Sequence, residues 1–160
     1  MSDVPAPAKQ LYCALITVAG DTLLLPNSVV TEAVGQSALS LHEGEPRWFA
    51  GKLEWNRRTL SAIHFEVLNG AIPVPLTRRA RLVVLQAPDA TGSEIPLAVV
   101  AQGYPHLITV TRDAVIPLPL RAGDDPALVL ARVRVGNSEA LIPDLDVLRL
   151  RIDALGQAAQ

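Results

Sequence analysis

The stretch Pro46–Gly70, PRWFAGKLEWNRRTLSAIHFEVLNG, decides the fold. It reads as a strand, a tight polar turn, a second strand and one helical turn that stops at Asn69-Gly70. Both tryptophans and both phenylalanines fall within it, between Trp48 and Phe65, in a chain that is only 4% aromatic. Fully burying a Phe-sized ring is worth roughly 1.5–3 kcal/mol. The rings therefore belong to the core or to a junction within it, and the charged turn between them belongs to solvent.

Working outward, Leu11 to Val18 (LYCALITV) is apolar on both faces, as a centrally buried strand is. Ala19-Gly20-Asp21 turns it back into Thr22 to Leu25, and Pro26 ends that ladder. Asn27 or Ser28 is placed to cap a single helical turn through Glu32. Gly35 to Glu45 reads as a polar connection. Ala71 to Leu76 (AIPVPL) is an extended segment fixed by two prolines, and Ile116 to Leu120 (IPLPL) echoes it as a second connector. RLVVLQA (Arg81 to Ala87), IPLAVVAQ (Ile95 to Gln102) and LITVT (Leu107 to Thr111) are strands. Leu128 to Val135 and Ala140 to Ile142 form a hairpin about Gly136-Asn137, with Arg132 and Arg134 on its wet face. Leu145, Leu148, Ile152 and Leu155 make one apolar stripe of a closing helix, with Pro143 near its first turn and Gly156 as its stop.

Nine or ten short strands with regular turn signals, a short helix and a C-terminal helix describe an all-β protein built from small antiparallel barrels. That is too many strands for a single five-stranded barrel, and two such barrels around one core fit better. The expected organisation is a loose tail over 1–9, one domain of two barrel subdomains over 10–156, and a tail over 157–160.

Composition narrows the function. Hydrophobic residues make up 49% of the chain and charged residues 19%, enough to bury a core, and the net charge is −2, without a bulk pull on nucleic acid or anionic lipid. Twelve of the 14 basic residues are arginine. Cys13 is the lone cysteine, which fits a reducing compartment, and MSDVPAPAKQ has neither the basic nor the apolar region of a secretory signal. A cytoplasmic protein without membrane insertion is expected.

Catalytic patterns are missing. No GxGxxG or GxxxxGK run occurs, and His42, His64 and His106 lack ligand spacing, so neither a cofactor nor a metal is expected. Ser61, His64 and Asp113 assemble a triad only on paper; His64 reads more simply as a half-buried side chain bonded to a backbone carbonyl. Arg57-Arg58 and Arg78, Arg79, Arg81 could serve a small single-stranded nucleic-acid barrel, the second reading. The net charge and the apolar setting of the rings disfavour it.

From LYCALITVAGDTLLLP to EALIPDLDVLRL the chain resembles a CheW-like domain, the coupling module of bacterial chemosensory arrays. The resemblance is carried, in order, by NSVVTEAVG, by Trp48-Phe49-Ala50-Gly51-Lys52-Leu53, by Leu60-Ser61-Ala62-Ile63, by Leu68-Asn69-Gly70, by the strand pair RLVVLQA and IPLAVVAQ, and by the helix start Leu-Ile-Pro-Asp-Leu-Asp. The wording WFAGKLEW…FEVLNG is most similar to the ChpC or PilI type of type IV pilus (twitching) systems.

The resemblance implies two five-stranded SH3-like barrels sharing a core, no catalysis, and a role joining the signalling domain of methyl-accepting chemoreceptors to a CheA-type histidine kinase, with recruitment to membrane receptor arrays. Where that family usually reads Asn-Leu-Arg-Gly, this chain has Glu54-Trp55-Asn56-Arg57, so the usual arginine falls on Asn56 and the usual glycine on Arg57. His64 stands where Asp is common, and Ala101 replaces another Asp. Glu54, Asn56, Arg57 and Arg58 are the candidate receptor-binding residues; the resemblance assigns no kinase-binding residue.

Overall fold

A computed structural model describes residues 9–158 apart from 87, 89–91, 93 and 95. Residues 1–8 of the expected N-terminal tail, most of the turn after Ala87, and residues 159–160 lie outside the described residues. The elements are β1 (Gln10–Val18), β2 (Asp21–Pro26), β3 (Val30–Gly35), β4 (Leu39–Leu41), β5 (Phe49–Trp55), β6 (Arg58–Ile63), α1 (Phe65–Leu68), β7 (Arg81–Leu85), β8 (Leu97–Ala101), β9 (His106–Thr111), β10 (Val115–Leu118), β11 (Val129–Val135), β12 (Ser138–Pro143) and α2 (Leu145–Ala158).

Among the described residues, twelve strands build two six-stranded sheets, ordered β10-β11-β12-β2-β1-β9 and β4-β5-β6-β8-β7-β3. Each sheet curls into a barrel, so the expected two-barrel architecture is present, with one more strand in each than expected. The additional strands are short edges. Gly35 to Glu45 contains β4, and IPLPL, expected as a connector, contributes its first half to β10. The helical turn expected through Glu32 is a 3-10 turn over Asn27–Val29, and Glu32 already lies in β3. A three-residue strand carries too little alternation to register in the sequence.

The two sheets share one connectivity. β3 and β4 are joined by a 3-10 turn at Gln36–Ala38, and β9 and β10 by one at Arg112–Ala114. In each barrel a third and fourth strand follow as a hairpin, then a helix, and the hairpin's last strand runs parallel to a strand from elsewhere: β12 beside β2, and β6 beside β8. The hairpin β1-β2 thus joins the barrel made mostly by the C-terminal half, and β7-β8 completes the barrel begun by β3–β6. This symmetry pairs β3–α1 with β9–α2. IPVPL and IPLPL are not counterparts in it: the first is irregular and exposed, the second lies partly in an edge strand.

Three apolar clusters explain why several strands lack alternation. Leu24, Val110, Val133, Val135 and Ala140 fill the first barrel. Leu53, Leu60, Ala62, Leu82, Val84, Ala98 and Val100 fill the second. Ile16, Leu23, Ile63, Phe65, Val83, Val99 and Leu148 belong to a third cluster, shared between the barrels and α2. β7 and β8 send alternate residues into the second barrel and the shared core, so both faces are buried and the sequence reads as a continuous apolar run. Of the four rings, Phe65 is wholly buried in the shared core and Trp48 packs against it, while Trp55 packs on the second barrel's interior.

The helices are closed by local chemistry. α1 ends in a Schellman arrangement: Gly70 N–H donates to Val67 O, Ala71 N–H to Glu66 O, and Gly70 takes φ 101°. Asp144 caps α2, its Oδ1 accepting from the backbone N–H groups of Asp146 and Val147 at 3.1 and 3.2 Å, and Pro143 sits just ahead of the cap as the last residue of β12. Leu145, Leu148 and Ile152 pack on the shared core as the stripe required. Gly156 does not stop the helix, which continues to Ala158.

Candidate functional site

The β5-β6 hairpin presents the four candidate residues at one tip. Its turn is two residues long, closed by the pair Trp55 and Arg58, with Asn56 at φ 48° and Arg57 at φ 62°. Two successive positive φ values define the type I′ geometry that follows the right-handed twist of a hairpin. Asn tolerates this conformation, and Arg does so at a cost of about 1 kcal/mol. Trp55 anchors the base of the tip on the second barrel's interior. Glu54 accepts a 2.6 Å hydrogen bond from the Thr59 hydroxyl across the strands, so it is tied into the hairpin itself. Arg57 and Arg58 are exposed, and neither has an ion pair or side-chain hydrogen bond among the described residues.

Most arginines of the other half are engaged, Arg112 on its exposed 3-10 turn excepted. Arg121, Arg132, Arg134, Arg149 and Arg151 each have a carboxylate within ion-pair distance. Arg57 therefore holds a strained backbone conformation with no intramolecular side-chain contact among the described residues to offset it. Arg57→Gly is accordingly expected to stabilise the fold by about 1 kcal/mol, or ~2–4 °C in Tm. Thermal denaturation checks it; a lower Tm would show that the arginine makes a stabilising contact.

Arg132 is where the sequence reading is corrected. It does not lie on a wet face: its side chain is 3% exposed at the junction of the barrels. Its Nε and Nη2 donate to the two oxygens of Asp124 at 2.6 and 2.7 Å, and its Nη1 and Nη2 donate to Asp21 at 3.0 and 2.7 Å. Asn69, at the end of α1, donates to Asp124 and accepts from Asp125 N–H, which ties the second barrel to the same network. The Arg132 hydrogen bonds, assisted by Arg121 N–H and Asn69, hold the Asp124 carboxyl well below the usual carboxylate range. Arg134, two residues on, is exposed as expected, and it pairs with Glu139. Nothing local distinguishes the two arginines, since Asp21 is 111 residues from Arg132 in sequence.

His64 also differs from expectation. Its ring Nδ1 lies 3.5 Å from Glu66 Oε1, so it faces a buried carboxylate rather than a carbonyl, while its backbone N–H donates to Trp48 O. Asp113 stands on the exposed 3-10 turn of the other barrel, and no triad with Ser61 and His64 is assembled. Among the described residues no group of three or more His, Cys, Asp or Glu is placed to hold a metal.

No protein-family model and no curated protein sequence matches the chain. Among solved structures, the scaffolding protein TtCheW from Thermoanaerobacter tengcongensis matches it with a TM-score of 0.67 at 14% identity, over 85% of this chain and 90% of that one. The chain has a CheW-like fold. At this identity the match is one of architecture. No helix among the described residues is long and apolar enough to cross a membrane.

Proposed function

We propose that the chain is a non-catalytic adaptor that couples methyl-accepting chemoreceptors to a CheA-type histidine kinase, in a chemosensory pathway of the type IV pilus kind. One observation carries this reading: the two-barrel architecture is shared, over 85% of the chain, with a protein described as a scaffold. The order of the CheW-like sequence motifs supports it independently. An adaptor needs surfaces rather than a reactive centre, and the Glu54–Arg58 tip is the surface assigned to the receptor. Its arginines can fork onto carboxylates of a helical receptor tip.

Pull-down of a receptor signalling domain and of a CheA-type regulatory domain tests the reading. The expected result is a complex with each; absence of both complexes overturns it. Within it, Arg57→Glu with Arg58→Glu is expected to weaken receptor binding at least about tenfold and leave Tm nearly unchanged. Undiminished receptor affinity would remove the tip as the site. Arg57→Gly should separate the two properties, gaining stability while losing receptor affinity.

A further inference from the structure

The second barrel carries another unneutralised cationic feature, at the entrance to β7. Arg78, Arg79 and Arg81 are three arginines within four residues. Arg78 and Arg79 lie on an exposed turn, and none of the three has a carboxylate partner among the described residues. The turn is built rather than loose. Arg81 Nη1 donates to Ala80 O at 2.9 Å and to Arg78 O at 3.3 Å, and its guanidinium lies 4.9 Å from the centre of the exposed Tyr104 ring. Gln36 Nε2 donates to Thr77 O at 2.8 Å and fixes the segment that leads in. Three like charges within four residues and with no carboxylate partner among the described residues repel one another until an anion joins them.

This corner is separate from the hairpin tip. Ala62 pairs with Ala98, and Arg81 with Ala101, which puts Arg81 beyond the opposite end of β6. At ~3.3 Å per residue the two features are on the order of 25 Å apart along the strands.

We infer that the Arg78–Arg81 corner is a docking site for a carboxylate-rich segment of a protein partner. Guanidinium forks match carboxylates bidentately, and a pre-formed turn loses little freedom on binding. Nucleic acid is disfavoured: the charges occupy one turn rather than a track, the chain is net negative, and Arg81 already covers a face of the neighbouring ring. The inference does not depend on the adaptor reading.

Fluorescence anisotropy of the full chain with a labelled oligoglutamate peptide tests it, against an oligoglutamine peptide and a single-stranded oligothymidylate. The glutamate peptide should bind in a salt-sensitive manner, and Arg78→Ala with Arg79→Ala should weaken it at least about tenfold with an unchanged circular dichroism spectrum. Equal affinity for the glutamine peptide overturns the inference. So does an equal loss from Arg57→Ala with Arg58→Ala, which would show that any exposed arginine pair suffices. Tighter binding of the oligonucleotide would reassign the corner to nucleic acid. No arm uses a receptor or kinase, so failure here is distinct from failure of the adaptor.

Discussion

Replacing Arg132 by methionine is expected to cost about 3–5 kcal/mol of folding stability. Methionine fills much of the arginine stem's volume, so the loss is electrostatic rather than a packing defect. What remains is a pair of carboxylates, Asp21 and Asp124, with side chains 11% and 2% exposed and only the half-exposed Arg121, 3.9 Å from Asp21, as a nearby cation. An uncompensated charge in that setting costs far more than a surface pair would contribute. A chain of this size loses ~2–4 °C in Tm per kcal/mol, so a drop of roughly 10 °C is expected. Arg132→Lys should recover only part of it, because one ammonium cannot reproduce two bidentate contacts.

The defect should also depend on pH. Asp124 is held below its ordinary value in the folded protein, chiefly by its hydrogen bonds to Arg132. Its contribution is therefore fully present above the unfolded carboxylate range and is lost as pH falls toward the depressed folded value. In the methionine variant the Asp124 carboxylate has lost its Arg132 donors, so its protonation relieves the buried charge. The difference between wild type and variant should accordingly be largest near neutrality and shrink below about pH 4. Denaturant titrations across that range check this; a pH-independent difference would place the loss in packing instead.

Gly51→Ala is expected to be comparably severe for a different reason. Gly51 sits at φ 142°, beside the irregularity where β5 passes from Phe49 to Gly51 in its pairing with β6. A β-carbon there would run into the backbone carbonyl of Ser40 on the neighbouring edge strand, with the His42 backbone nitrogen 3.1 Å away. Backbone cannot turn aside as a side chain can, so β4 must move or detach. Unfavourable φ alone costs about 1–3 kcal/mol, and displacing the edge strand raises the total to about 3 kcal/mol or more. Gly20→Ala is the control: its φ is 77°, but open space surrounds the added carbon, so only the conformational cost applies. Near-equal Tm losses for the two variants would refute the steric account. Amide exchange should locate the extra loss in β4.

Most of the candidate tip was legible because its causes are local. A polar two-residue turn between apolar strands fixes a hairpin, and Asn56 marks the left-handed position. The stripe on α2 and the stop at Gly70 are likewise short-range. The edge strands β4 and β10 were missed because a few residues with one partner carry little pattern. Gly156 misled because a glycine ends a helix only where the chain turns away, and here the helix continues.

Arg132 and Arg134 mark the boundary between the two kinds of knowledge. By themselves the residues determined an all-β chain of two small barrels, two arginine-rich turns and the stop of the first helix. Those features depend on periodicity and on contacts within a few residues. Tertiary structure decided which strands are buried on both faces, which hairpin belongs to which barrel, and that one arginine of an alternating pair is locked between Asp21 and Asp124 while the other meets solvent. Long-range pairing sets these outcomes, because a charge is buried only where the fold brings distant carboxylates to meet it.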